Sequence, residues 1–209
     1  MHFRNREEAG RALAEALAPY RGRKAVVFAL PRGGVVVGYE VAHSLGVPLD
    51  VVVTRKIGHP HNSEYAICAT DEKGTLLCDE SETRLVDQDW LNKEVERQRK
   101  EAERRIKVYR GGKKPFQITN KVAIIIDDGI ATGLTMRLAV KAVRKQKPSR
   151  IIIAVPVAPS DIVRELKREV DEVIVLEPPE DFMGAVGAHY QEFEQVEDAA
   201  VVRLLQDSQ

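Results

Sequence analysis

Five short runs of apolar, mostly β-branched residues recur along the chain: KAVVFAL (24–30), VPLDVVVT (47–54), KVAIIID (121–127), RIIIAVPVA (150–158) and DEVIVLEPP (171–179). Between most of them lie segments with apolar residues three and four apart, as in amphipathic helices: VVVGYEVAHSLG closed by Gly46, GLTMRLAVKAVRKQ, and SDIVRELKREV. REEAGRALAEALAPY, ahead of the first run, has the same spacing. Runs that do not alternate suit strands buried on both faces, and strands alternating with helices suit a parallel sheet covered on both sides. The expected fold is α/β, a doubly wound, mainly parallel sheet of about five strands.

The pattern breaks between the second and third runs. A polar loop, RKIGHPHNSE, precedes YAICAT and GTLLCDE around Lys73-Gly74, which read as a hairpin. Residues 87–109 read as a long charged helix, stopped by Gly111, Gly112 and Pro115. Residues 93–114 hold ten Lys or Arg against four Glu, whereas residues 177–198 hold seven acids and no Lys or Arg. A chain of zero net charge therefore has a basic face for anions and an acidic region elsewhere. The interleaved Glu mark the basic helix as a solvated helix with i,i+4 pairs or as a dimer contact, so nucleic acid is not an expected partner.

The 209 residues suffice for one sizeable core. No stretch is apolar for long enough to span a bilayer, and the acid-bearing N-terminus lacks a signal core. Cys68 and Cys78 are too few for a disulfide framework or a four-cysteine zinc site. Two free thiols in a reducing cytoplasm are expected, with a pair across the hairpin as the alternative.

The third run carries the chemistry. It continues as IIIDDGIATGLT, residues 124–135. Glycines and small residues let backbone N–H groups turn towards a ligand, the helix starting near Gly133 adds its positive end, and Thr132 and Thr135 add hydroxyls. These features describe a cradle for a phosphate. Asp127 and Asp128 cannot bind a phosphate, so they must face sugar hydroxyls or a hydrated metal. An ordinary turn with one capping acid would not need two Asp, two Thr and two Gly in nine residues. Neither a G-x-x-x-x-G-K-[ST] nucleotide loop nor a G-x-G-x-x-G fingerprint is present.

IIIDDGIATGLT resembles the phosphoribosyl-pyrophosphate signature of type I phosphoribosyltransferases, and ALPRGGVVVGYEVAHSLGVPLDVVVTRK is similar to their pyrophosphate loop, helix, second strand and Arg-Lys pair. The resemblance spans roughly residues 24–156. It implies a single domain, 1–209, with a flexible loop, hairpin and inserted helix over 57–118 and a C-terminal hood over 177–209. It implies that Asp127 and Asp128 hold the ribose hydroxyls, directly or through Mg²⁺, and that Ala131, Thr132, Gly133 and Thr135 line the 5-phosphate site. Arg32, Gly33 and Gly34 would hold pyrophosphate, with Arg55 and Lys56 facing it. Phe182, Tyr190 and Phe193 in the hood are available for stacking on the acceptor, with Phe182 or Tyr190 as the candidates; the alternative is that these aromatics pack the tail onto the sheet. Glu64 is a candidate general base or an exposed loop acid. His59 and His61 would reach pyrophosphate or solvent.

The implied reaction moves ribose 5-phosphate from phosphoribosyl pyrophosphate to a nucleobase or related nitrogen heterocycle, releasing pyrophosphate. Family members are often dimeric, so a homodimer is expected. Where 6-oxopurine members carry an acid in the phosphate loop, this chain has Ala131, which is closer to adenine- and orotate-type loops. The competing readings are a protein that senses phosphoribosyl pyrophosphate without turnover and a fragment of a ribose-phosphate pyrophosphokinase-like protein. No ATP site is identifiable for the latter.

Overall fold

The apolar runs become strands of one sheet. In the computed structural model, which describes residues 3–177 and 182–208, the order is β2 (Leu49–Val51), β1 (Ala25–Ala29), β6 (Val122–Ile126), β7 (Arg150–Val157) and β8 (Glu172–Glu177). Every neighbouring pair is parallel. Successive side chains of a strand point to opposite faces, so each run feeds two cores. Val26, Phe28, Ala123, Ile125, Ile151 and Ile153 pack under α5 (Leu134–Arg144) and α6 (Ser160–Leu166). Val27, Ala29, Ile124, Ile126 and Ile152 pack on the other face under α1 (Arg6–Ala16), α2 (Gly33–Leu45) and α7 (Asp198–Asp207).

This strand order places the site. From β1 the chain winds one way to β2, and the later strands extend the other way from β6. The reversal lies between β1 and β6, where doubly wound sheets open a crevice beyond the strand ends. Ala29 pairs with Ile126, and the Leu30 amide donates to the Ile126 carbonyl at 2.9 Å. Pro31–Gly34 and Asp127–Asp128 therefore leave the sheet side by side. The helix read from Val35 begins two residues earlier, so Gly33 and Gly34 form the first turn of α2.

A second sheet holds β3 (Thr54–His59), β4 (Asn62–Asp71) and β5 (Leu76–Cys78), all antiparallel. The start of the segment read as a polar loop is thus strand β3. Its single apolar residue, Ile57, is buried with Ile67, Cys68, Val86 and Leu91, and that burial aligns the flanking polar residues. Cys68 and Cys78 are register partners across the β4–β5 ladder and form a disulfide, where free thiols were expected. The sheet lies against α5 and against α4 (Gln88–Arg110). The short α3 (Glu80–Thr83) precedes α4.

Asp87 caps α4 by accepting from the Trp90 amide at 2.7 Å, and Gly111 ends it in the left-handed region. The outer face carries the expected ladder of pairs, such as Arg97–Glu94 at 2.6 Å and Arg104–Glu101 at 2.8 Å. The inner face is not solvated: Leu91, Gln98, Ala102 and Tyr109 are buried, and α4 packs on β3, β4 and α7. Among the described residues no helix is long and apolar enough to cross a membrane.

The cross-link closes a loop whose ends are 10 residues apart in sequence. Its reduction should lower the stability of the small sheet by roughly 3 kcal/mol or less. Hydrogen exchange should then quicken in β4 and β5 and stay unchanged in β1 and β6.

Candidate active site

Two carboxylates adjacent in sequence at the end of β6 need a reason to stay together. Asp127 accepts the Asp128 amide at 2.8 Å through Oδ1. Burial, and then the Asp128 charge, push the Asp127 carboxyl well above the usual carboxylate range. Asp128 is held differently. Its Oδ2 accepts from Arg6 Nε at 2.7 Å, and its carbonyl accepts from the Tyr190 hydroxyl at 2.6 Å. One carboxylate thus has a cation and the other has burial and a charged neighbour.

The PRGG loop approaches this pair at backbone distance. A Cβ on Gly33 would overlap the Asp128 carboxylate and lie 2.6 Å from Arg6 Nε; one on Gly34 would lie 2.8 Å from Asp127 Oδ1. Any side chain at either position would displace an acid, so both must be glycine for the two strand ends to close.

The acids share their cleft with cations. A cleft of about 540 Å³ is lined by Arg6, Arg32, Gly33, Arg55, Lys56 and Arg105 together with Asp127 and Asp128. Residues of the segment 193–196 close one side. Arg55 and Lys56 come from β3, which the small sheet holds over the cleft. Arg55 Nε donates to Gln98 at 2.9 Å and Arg105 Nε to Glu101 at 2.7 Å, so α4 supports both. Burial, and then the neighbouring Arg105 charge, lower the Arg55 pKa. Arg32 lies 3.9 Å from Glu197 and 3.8 Å from Asp198 at the start of α7. Guanidiniums packed together at this density favour an incoming polyanion.

The loop after the acids runs directly into α5 outside the wall of this cleft. Gly133 caps the helix at φ 79° without a side-chain bond. Among the described residues no hydrogen bond is donated by the backbone amides of 131–135; the first from this turn is that of Arg137, to the Gly133 carbonyl. Ala131 is exposed, and Thr132 and Thr135 are half-buried. Gly129 leaves room for Val186, which a Cβ would overlap.

Other expected site residues lie elsewhere. Tyr190 is buried, spends its hydroxyl on Asp128, and packs on Phe3 and Phe193 at 5.7 and 5.0 Å between ring centres. Burial pushes its phenol pKa up. Phe182 stacks on His189 at 5.3 Å. Neither ring lines the cleft, because both pack the tail onto the sheet beside Val157, the last residue of β7. Phe193 lines it instead, over the Arg6 guanidinium at 3.8 Å. Glu64 lies on β4, but its side chain is outside the described residues, as are residues 178–181 of the hood. His59 and His61 are neighbours, 5.5 Å between ring centres. Sequence reasoning missed Arg6, Gln98 and Arg105; of the three tail aromatics it named, only Phe193 lines the cleft. Arg6 and Arg105 sit in ordinary helical patterns, and nothing local marks them.

A profile of the family described as "Phosphoribosyl transferase domain" matches residues 4–192. The chain belongs to that family. This phosphoribosyl transferase domain is 43% identical to TT1426 from Thermus thermophilus, whose crystal structure superposes with a TM-score of 0.79 over 99% of each chain. It is 40% identical over 205 residues to two Mycobacterium tuberculosis proteins provisionally named phosphoribosyl transferases. That match covers 97% of this chain and 46% of each relative, so the chain spans about half their length. AQ2163 of Aquifex aeolicus, 9% identical, shares the fold at a TM-score of 0.50 over 82% of this chain and 73% of that one.

Asp127→Asn should separate the site's demands from the fold's. A carboxyl whose pKa is raised by folding destabilises the native state at any pH where the unfolded chain ionises it. The variant should therefore melt higher than the wild type at pH 8. Its advantage should shrink as pH falls through the raised native pKa and vanish below the ordinary Asp range. Thermal melts across pH check this.

Proposed function

We propose that the chain transfers ribose 5-phosphate from phosphoribosyl pyrophosphate to a ring nitrogen of a nucleobase-like acceptor, releasing pyrophosphate. The observation that carries this reading is the cleft itself, which a carboxylate pair shares with Arg32, Arg55, Lys56 and Arg105, together with the amides of 131–135, from which no hydrogen bond is donated among the described residues. The amides of 131–135 and the start of α5 suit a phosphate dianion. The acids suit a diol, because ionised carboxylates only accept hydrogen bonds and hydroxyls donate them. The cations suit pyrophosphate.

The donor set also fits Mg²⁺. No cluster of three or more His, Cys, Asp or Glu exists among the described residues to cage an ion. Mg²⁺ is commonly held by one or two carboxylates plus waters and substrate phosphates, which Asp127 and Asp128 allow. Bound there with the substrate, it would neutralise charge on the pyrophosphate.

The remaining work falls to the chain's own groups. Breaking the bond between C1 and pyrophosphate leaves positive character on the ribose and negative charge on the leaving group. Arg32, Arg55, Lys56 and Arg105 would stabilise that charge as it grows, and their supports on α4 and α7 spare reorganisation at that moment. Phe193 and the segment to Val196 would exclude water beside the ribose. The binding-only alternative is favoured by one contact: Arg6 already sits on an Asp128 oxygen.

The assay is pyrophosphate release from phosphoribosyl pyrophosphate and Mg²⁺ with a panel of nitrogen heterocycles. Release with at least one acceptor supports transfer; tight binding with no release on any supports sensing. Lys56→Ala should lower kcat by roughly 10²-fold while changing the Kd for phosphoribosyl pyrophosphate by less than about tenfold. Equal losses in both would assign Lys56 to ground-state binding.

A further inference from the structure

Arg6 has an unusual set of partners for the first residue of a surface helix. Its side chain is only 11% exposed. Nε donates to Asp128 Oδ2 at 2.7 Å, one terminal nitrogen donates to the Glu194 carbonyl at 2.8 Å, and the guanidinium lies 3.8 Å from the centre of the Phe193 ring. One planar cation therefore joins the acid pair of β6 to the middle of segment 192–197. That segment has no regular structure and is mostly exposed. Its ends are fixed by other means. The amides of Gln191 and Glu192 donate to the Phe3 and Arg4 carbonyls, and residue 198 starts α7.

We propose that Arg6 is a positioning residue that couples the ribose site to this strap, holding the strap while it occupies Asp128 and releasing it when a ribose diol takes that carboxylate. The inference rests on the reading of Asp127–Asp128 as the diol site. Its physical basis is crowding at a single oxygen. Asp128 Oδ2 has Arg6 Nε on one side and the Gly33 backbone so close on another that a Cβ there would overlap it. A diol that uses this oxygen must displace Arg6. Neutral hydroxyls do not replace a lost ion pair, so a sugar phosphate without pyrophosphate binds against that cost. Phosphoribosyl pyrophosphate brings anions into the same cleft, and the freed guanidinium can turn to them. Displaced from Asp128 by the diol of either ligand, it cannot keep both the Glu194 carbonyl and the Phe193 face, and the strap loosens.

The test uses ribose 5-phosphate, which carries the diol and the 5-phosphate but no pyrophosphate. Calorimetry gives its Kd for the wild type and for Arg6→Gln. Cleavage after Glu194 by a glutamate-specific protease, with fragments identified by mass, reports the strap. Arg6→Gln should bind ribose 5-phosphate roughly threefold to tenfold more tightly, the scale of a part-buried ion pair removed from competition. Ribose 5-phosphate should speed cleavage after Glu194 in the wild type. The variant should be cut quickly with or without it. If Arg6→Gln folds poorly by circular dichroism, Arg6→Lys replaces it, with the same direction and a smaller gain. Weaker or unchanged binding in a folded variant, or strap cleavage in the wild type that ignores the ligand, overturns the coupling and leaves the diol site standing. A wild type that binds neither ribose 5-phosphate nor phosphoribosyl pyrophosphate removes the diol site and the coupling together.

Discussion

Holding two adjacent carboxylates at the mouth of a protein core is the constraint around which this structure is arranged. Asp127 and Asp128 repel, and neither can be fully solvated where β6 ends. The chain answers with one direct ion pair, Arg6 on Asp128, and with Asp127 shifted towards its neutral form. The glycines of PRGG follow from the same constraint. The β1 end must lie against the acids without a side chain, and at Gly33 and Gly34 even a methyl group would collide with them. The burial of Tyr190 follows too, since its hydroxyl occupies the Asp128 carbonyl.

The cations obey a complementary logic. Arg32, Arg55 and Arg105 come from three elements, and each is supported from outside the cleft, by α7, by Gln98 and by Glu101 respectively. The small sheet and α4 are therefore walls of the site as much as insertions into the fold. Tyr109 shows how far the support extends. Its hydroxyl donates to Asp198 at 2.6 Å, tying α4 to the helix start that faces Arg32. A substitution on α4 that never touches a ligand can thus move a cation that does.

Much of the main sheet was legible because its signals are local. A run such as IIIDDGIATGLT reports a buried strand, its end and a glycine-rich turn without help from the rest of the chain, and KAVVFALPRGG does the same. The roles of α4 and of the tail were not legible, for a common reason. A helix with charges all round looks solvated until its neighbours are known, and Arg105 differs from Arg104 only in the direction it faces. Arg6 lies 122 residues from the acid it meets, and no periodicity links them. Aromatic residues in the tail advertise burial or stacking equally well; packing against Phe3 decides it for Tyr190. The disulfide was open for a different reason, since only strand register brings Cys68 opposite Cys78.

The central claim is that the loop following the acid pair grips a phosphate while the acids face the sugar it belongs to. Amide chemical shifts in a ¹⁵N-labelled sample, followed while ribose 5-phosphate is added, test it most directly. The account predicts saturable shifts concentrated in residues 131–135 and in Asp127–Asp128, with inorganic phosphate moving only the first group. Shifts confined to the basic faces of α4, or none in 131–135 at saturating ligand, would contradict it.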